Sequence, residues 1–322
     1  MTRVRVAVVS LVLLLAGCAA APASDDAPAD GGFYVDQTSA AALQEATWRQ
    51  GGRAADADQI AKISRRPQAK WLTTDVTRVE AQARDQVTRA GNAKRTAVLV
   101  AYDIPARDCA GFSAGGAPDA TAYRAWVAAV GRGISGTRPT LILEPDAVAG
   151  ALDGCLAPQQ RAERLGLLAE AGATLTRAGA KVYLDAGNPG WISDTAGLAD
   201  ALRTAGVGRL AGFALNVSNF YATADVVSYG RAVASRLNGA HFVVDTSRNG
   251  NGPAGGTDGP AWCNPPGRAL GHAPTTGTGD PQVDAFLWIK SPGTSDGTCR
   301  PGAPDAGQWW PEYALALAEA SP

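Results

Sequence analysis

The chain has 322 residues, with 29 Lys and Arg against 30 Asp and Glu, so the net charge is −1. That balance excludes a nucleic-acid binder working through bulk positive charge, and an apolar share of 46% excludes a disordered chain. Only two His are present, His241 and His272, and no HExxH motif occurs, so neither a multi-histidine metal centre nor another cofactor is expected.

Residues 1–17 read as an export signal. Arg3 and Arg5 precede an apolar run from Val6 to Ala16, well short of the roughly 20 residues a membrane-spanning helix needs. The run ends in Leu15, Ala16, Gly17 and Cys18, which resembles a bacterial lipobox. Such a site implies cleavage before Cys18 and a diacylglycerol on its thiol. Residues 18–32, rich in Ala, Pro, Ser, Asp and Gly, then form the lipidated cysteine and a flexible tether. The expected protein is exported and touches a membrane only through Cys18. Loss of Arg3 and Arg5 leaves 27 cations against 30 anions, or −3. Four other cysteines remain, Cys109, Cys155, Cys263 and Cys299. In an exported chain they read as two disulfides with three possible connectivities. Nearest-neighbour pairing closes loops of about 46 and 36 residues, each stabilising by roughly 3–4 kcal/mol in the chain-entropy model.

Residues 33–322 read as one domain. Short apolar runs at Phe33–Val35, Lys70–Leu72, Ala97–Tyr102, Thr140–Leu143, Lys181–Leu184, Gly212–Asn216, His241–Asp245 and Ala285–Ile289 are the expected strands. Helix-period segments separate most of them. One starts after Asp119 and places Tyr123, Trp126, Val127, Val130 and Ile134 on one face. Another runs from Pro158 to about Arg177 and stops at Gly179. This alternation implies an α/β fold with a parallel sheet under helices. Seven or eight units suit a TIM-barrel-like closure better than an open sheet, though periodicity does not settle closure.

Chemistry-bearing residues gather after the strands: Trp71, Tyr102, Asp108, Asp146, Asp185, Asn216, Asp245, Arg248, Lys290 and Asp296. In a parallel barrel these positions share one face. Carboxylates, amides, cations and indoles together suit a carbohydrate, with acids to cleave an acetal and rings to stack on sugars. Any one such Asp reads more simply as a helix N-cap, but Asp108, Asp146, Asp185 and Asp296 doing only that is a weaker reading. Two other motifs are set aside. Gly111–Gly115 fits GxSxG, but Pro105 and Cys109 separate Ser113 from the preceding strand, unlike a nucleophile elbow. Gly250–Gly255 fits GxGxxG, with no helix expected after it.

The run from Val100 to Gly116 closely resembles the signature of glycoside hydrolase family 6, a family of endoglucanases and cellobiohydrolases. Four further segments resemble it in the same order: Ile142–Asp146, Tyr183–Gly187 with Trp191, Trp262–Asn264, and Trp288–Lys290 leading to Asp296. The resemblance implies a distorted, incompletely closed barrel and inverting hydrolysis of β-1,4-glucan. It implies Asp146 as general acid, Asp108 as the carboxylate that keeps Asp146 protonated, and Tyr102 as the residue that distorts the reacting sugar. Asp296 matches the family's candidate base, a role disputed in favour of a water relay. Trp71, Trp191 and Trp262 match stacking positions, and Asp185, Asn216 and Lys290 match polar sugar contacts. The resemblance also implies the pairings Cys109–Cys155 and Cys263–Cys299.

Two positions depart from that pattern. Asn188 stands where His is frequent, and Thr294 where Glu is common. Short loops between the cysteines point to an open cleft and internal attack by a monomer. The alternatives are a cellobiohydrolase and a non-catalytic glucan-binding lipoprotein on the same fold.

Overall fold

The computed structural model describes residues 1–2, 31–255 and 259–322. Cys18 and most of the expected signal and tether lie outside the described residues.

Seven parallel strands form one sheet in sequential order. They are β1 Lys70–Leu72, β2 Val98–Ala101, β3 Thr140–Leu143, β4 Lys181–Asp185, β5 Gly212–Leu215, β6 His241–Asp245 and β7 Val283–Leu287. The helices are α1 Ala40–Gln50, α2 Ala54–Ser64, α3 Val76–Asn92, α4 Ala120–Ile134, α5 Ala147–Leu152, α6 Pro158–Arg177, α7 Thr195–Thr204, α8 Thr223–Ser235 and α9 Pro311–Glu319. The expected strand at Phe33–Val35 is a correction: Phe33 makes only an isolated parallel bridge to Thr96. Three apolar residues are as compatible with a buried loop as with a strand, and Phe33 is buried without a ladder.

The sheet curls into a half-barrel. β1 and β7 form no ladder with each other among the described residues. They approach at one seam, where Ala69 N donates to Trp288 O at 2.9 Å and Trp71 Nε1 to Ile289 O at 2.9 Å. Because side chains alternate along a strand, each strand feeds two layers. Val98, Val100, Ile142, Tyr183, Ala214, Val243 and Leu287 pack inside the curl. Leu99, Leu141, Leu143, Leu184, Phe213 and Val244 face the helices. α4 meets that layer with Tyr123, Trp126, Val127, Val130 and Ile134, all buried as the periodicity requires. Its N-cap is Asp119, whose carboxylate accepts from Ala122 N at 2.8 Å.

A third apolar cluster joins α1, α2 and α9 through Trp48, Ile60, Ile63, Trp288, Tyr313 and Leu317, with Trp309 and Trp310 at its edge. The tryptophans without a sequence-level role therefore sit in and around a core. Both nearest-neighbour disulfides are present, with Cα separations of 6.0 Å for Cys109–Cys155 and 6.4 Å for Cys263–Cys299.

Candidate active site

One wall of the site is the loop after β2. Its first turn is fixed from below, because the Glu144 carboxylate accepts from Asp103 N at 3.1 and 3.0 Å and from Ile104 N at 3.0 Å. Arg164, buried under the loop, donates to Pro105 O at 2.9 Å and Ala106 O at 2.7 Å. Arg107 donates to Tyr102 O at 2.8 Å and Ser113 O at 2.9 Å, and its guanidinium lies 4.5 Å over the Tyr102 ring. Gly116 closes the loop at φ +89°, where a Cβ would lie 1.9 Å from Ile104 O, so no other residue fits. These ties hold Ala106, Asp108 and Cys109 at φ of 52°, 55° and 46°, a conformation costing about 1–3 kcal/mol per residue. The result is a fixed Asp108. Its Oδ2 accepts from Ser113 N at 2.8 Å and Ser113 Oγ at 2.7 Å, and Ser113 Oγ sits 2.9 Å from the Tyr102 hydroxyl.

Asp146 occupies the N-cap position of α5 at φ 70°, yet its side chain makes no capping hydrogen bond. Asp75, Asp119 and Asp194 do cap their helices. The Asp146 carboxyl is therefore left for other chemistry. Burial and then the Asp108 charge push it up to about 7, with Lys290 opposing. Beneath it, Asp185 accepts from Asp146 N at 2.9 Å and Gly187 N at 3.2 Å. Burial, followed by the Asp146 charge, pushes the Asp185 carboxyl well above the ordinary range.

The facing wall carries Asp296. Arg248 grips it through both arms, Nη1 to Oδ2 at 2.8 Å and Nη2 to Oδ1 at 3.0 Å. Lys290 Nζ lies 3.1 Å from Oδ1, and Asn264 N donates to Oδ2 at 3.0 Å. Burial alone would raise the Asp296 carboxyl, but Arg248 and Lys290 outweigh it and hold it below the ordinary value. Arg248 is itself fully buried over the Phe220 ring and donates to Ser218 O at 2.6 Å.

Aromatic rings mark the approaches. Trp191 and Trp262 are 37% and 46% exposed, which leaves their faces free for a ligand. Trp71 stands edge-on to Tyr102 at 5.1 Å. Phe112, at the tip of the first wall, meets Trp262 at 6.1 Å. It also packs on Gly297, where φ is +136° and a Cβ would lie 2.3 Å from the Phe112 Cβ. The two walls therefore touch at Phe112. Asn188 turns inward and accepts from Gly190 N and Trp191 N, both at 3.1 Å, so this departure shapes the turn that presents Trp191.

The structure brings Asp146, Asp108, Tyr102, Asp185, Asp296 and Lys290 to one end of the half-barrel, with Trp71, Trp191 and Trp262 at the same end. Asn216 corrects the sequence reading. It is fully buried, its Nδ2 donates to Asp245 O at 3.0 Å and Tyr221 O at 3.3 Å, and its Oδ1 accepts from Tyr221 N at 3.3 Å. Its amide is spent on the backbone and offers no group to a ligand. Two residues had no role assigned from the sequence. Ser113 belongs to a set-aside motif, yet it links Asp108 to Tyr102. Arg248 stands among the strand-end residues after β6, but its carboxylate partner, Asp296, lies in a distant loop.

The sequence pattern of the family described as "Glycosyl hydrolases family 6" matches residues 29–321. Endoglucanase A of Cellulomonas fimi is 44% identical over 290 residues, covering 89% of this chain and 61% of that protein, so the chain spans about six tenths of that relative's length. Endoglucanase 1 of Streptomyces halstedii is 40% identical over 320 residues, covering 97% of this chain and 96% of that one. The structure of the endoglucanase Cel6 from Mycobacterium tuberculosis, in complex with methyl-cellobiosyl-4-deoxy-4-thio-β-D-cellobioside, superposes with a TM-score of 0.83 at 44% identity, covering 89% of this chain and 96% of that one. With the barrel, the walls and these likenesses in agreement, the chain belongs to glycosyl hydrolase family 6.

Proposed function

We propose that this protein is an endo-β-1,4-glucanase that cleaves internal bonds of cellulose or a related β-glucan with inversion. The observation that carries the reading is Asp146, a carboxyl free of its helix cap and raised to about 7 by burial and Asp108. A general acid must hold its proton near neutral pH and release it to the leaving oxygen. Asp108, locked by Ser113, is the like charge that makes ionising Asp146 costly. Tyr102 crowds the sugar that reacts. Asp185 fixes the Asp146 backbone, and Lys290 offers a cation to the same space. Asp296 stays ionised beside Arg248 and Lys290. That makes it a strong anchor for positive charge building on the sugar and a weak proton acceptor, which favours transfer of the water's proton through solvent. Trp71, Trp191 and Trp262 stack on flanking pyranose rings.

Internal attack has a direct test. The purified protein is expected to lower the viscosity of carboxymethyl-cellulose well before reducing ends accumulate. Reducing ends rising first, with viscosity nearly constant, would point to attack from chain ends.

Two disulfides fit an oxidising, extracytoplasmic setting, and the sequence around Cys18 supports a lipid anchor on the exported chain. Mass spectrometry of the mature N-terminal peptide is expected to find Cys18 at the terminus carrying acyl chains. An unmodified Cys18 would remove the anchor.

A further inference from the structure

The end of the half-barrel opposite the carboxylates is basic. It is built from the segments that lead into the strands. Lys94 lies just before β2, Arg138 before β3, Arg177 at the end of α6 before β4, and Arg209 before β5. All four are exposed, and none lies within ion-pair distance of a carboxylate among the described residues. Among the described residues, carboxylates beside the strand entries are already paired. Asp36 pairs with Arg89 at 3.1 Å, Asp280 with Arg231 at 2.6 Å, and Asp284 with Lys181 at 2.9 Å and His241 at 2.7 Å. Among the described residues the surplus at this end is thus positive. At the other end Asp296 is paired with Arg248 and Lys290.

The chain also enters at the basic end. Gly31 and Phe33 line a cavity of about 680 Å³ together with Arg138, Lys181, Thr276 and Asp284. Cys18 precedes Gly31 by 13 residues, so a lipid anchor at Cys18 would hold the bilayer within about 45 Å of this surface even at full extension. Presenting the other end to the membrane would take the tether past a domain whose α6 alone is about 30 Å long.

We propose that the strand-entry end, with Lys94, Arg138, Arg177 and Arg209, is a docking surface for the anionic phospholipid headgroups of the membrane that holds the anchor. Docking turns the cleft outward, toward polymer. The biological setting rests on the lipid-anchor reading, but the surface itself is testable without it.

The test uses the chain from residue 18 with Cys18→Ser, which keeps every described element of the domain and carries no acyl group. Its co-sedimentation is measured with phosphatidylglycerol–phosphatidylcholine vesicles and with pure phosphatidylcholine vesicles, at low and high salt. The expected result is partitioning onto the anionic vesicles only, abolished by salt. The combined variant Lys94→Glu, Arg138→Glu, Arg177→Glu and Arg209→Glu is expected to lower that partitioning by about a hundredfold or more, while soluble-glucan hydrolysis and circular dichroism stay unchanged. Arg138→Glu alone is expected to cost about fivefold. Arg78→Glu, in the first turn of α3 at the other end, is expected to cost little. Equal partitioning onto both vesicle types, no effect of the combined variant, or equal losses from Arg78→Glu and Arg138→Glu would each overturn the docking surface. Finding no acyl group on Cys18 would instead remove the anchor and leave these vesicle results standing.

Discussion

Asp146→Asn is expected to lower turnover of unactivated β-glucan by about 10³-fold or more, within the range general acid catalysis supplies. The loss should be much smaller on a cellobioside with a good phenolic leaving group, because that oxygen departs without protonation. Equal losses on both substrates would remove Asp146 from the acid role. The wild-type pH profile belongs to the same prediction. With its carboxyl raised to about 7, Asp146 is protonated below that value, so activity falls as pH rises through it. Asp108→Asn deletes the like charge, lowers the Asp146 value and moves this alkaline limb to lower pH. A limb that stays in place in Asp108→Asn would contradict the coupling.

Arg248→Met is expected to destabilise the fold by about 3 kcal/mol, the lower end of the cost of breaking a buried ion pair, because Lys290 still faces Asp296. Both guanidinium arms hold Asp296, and Arg248 has no exposure to water. The sign with pH is fixed. Asp296 is depressed below its ordinary 3.8 in the fold, so the pair stabilises fully above that value and less as pH falls through the folded value. The destabilisation measured by urea unfolding should therefore be largest near neutrality and shrink in acid. A loss under about 1 kcal/mol at neutral pH, the level of an exposed pair, would show that the pair is not buried as described.

Seven of the expected strands were legible because each is a short apolar run closed by a polar residue. Phe33–Val35 was not, because nothing in three residues distinguishes a ladder from a buried loop held by one bridge. Asp108, Asp146, Asp185 and Asp296 were legible as strand-end carboxylates, but the sequence alone could not separate caps from catalysts. In the structure Asp146 makes no cap bond, which removes the capping reading for that residue. Arg248 was legible as a strand-end cation but not as the partner of Asp296, which is 48 residues away in an irregular loop. Asn216 was misread for the reverse reason. A strand-end amide looks available to a ligand until its three backbone hydrogen bonds are seen.

Hydrolysis by an acid at Asp146 with water attacking from the opposite face inverts the anomeric centre. Proton NMR of a cello-oligosaccharide during the first turnovers, before the anomers equilibrate, reads that outcome. The expected first product is the α-anomer. An initial β-anomer would exclude inversion, and no product from a folded protein that binds the oligosaccharide would exclude hydrolysis.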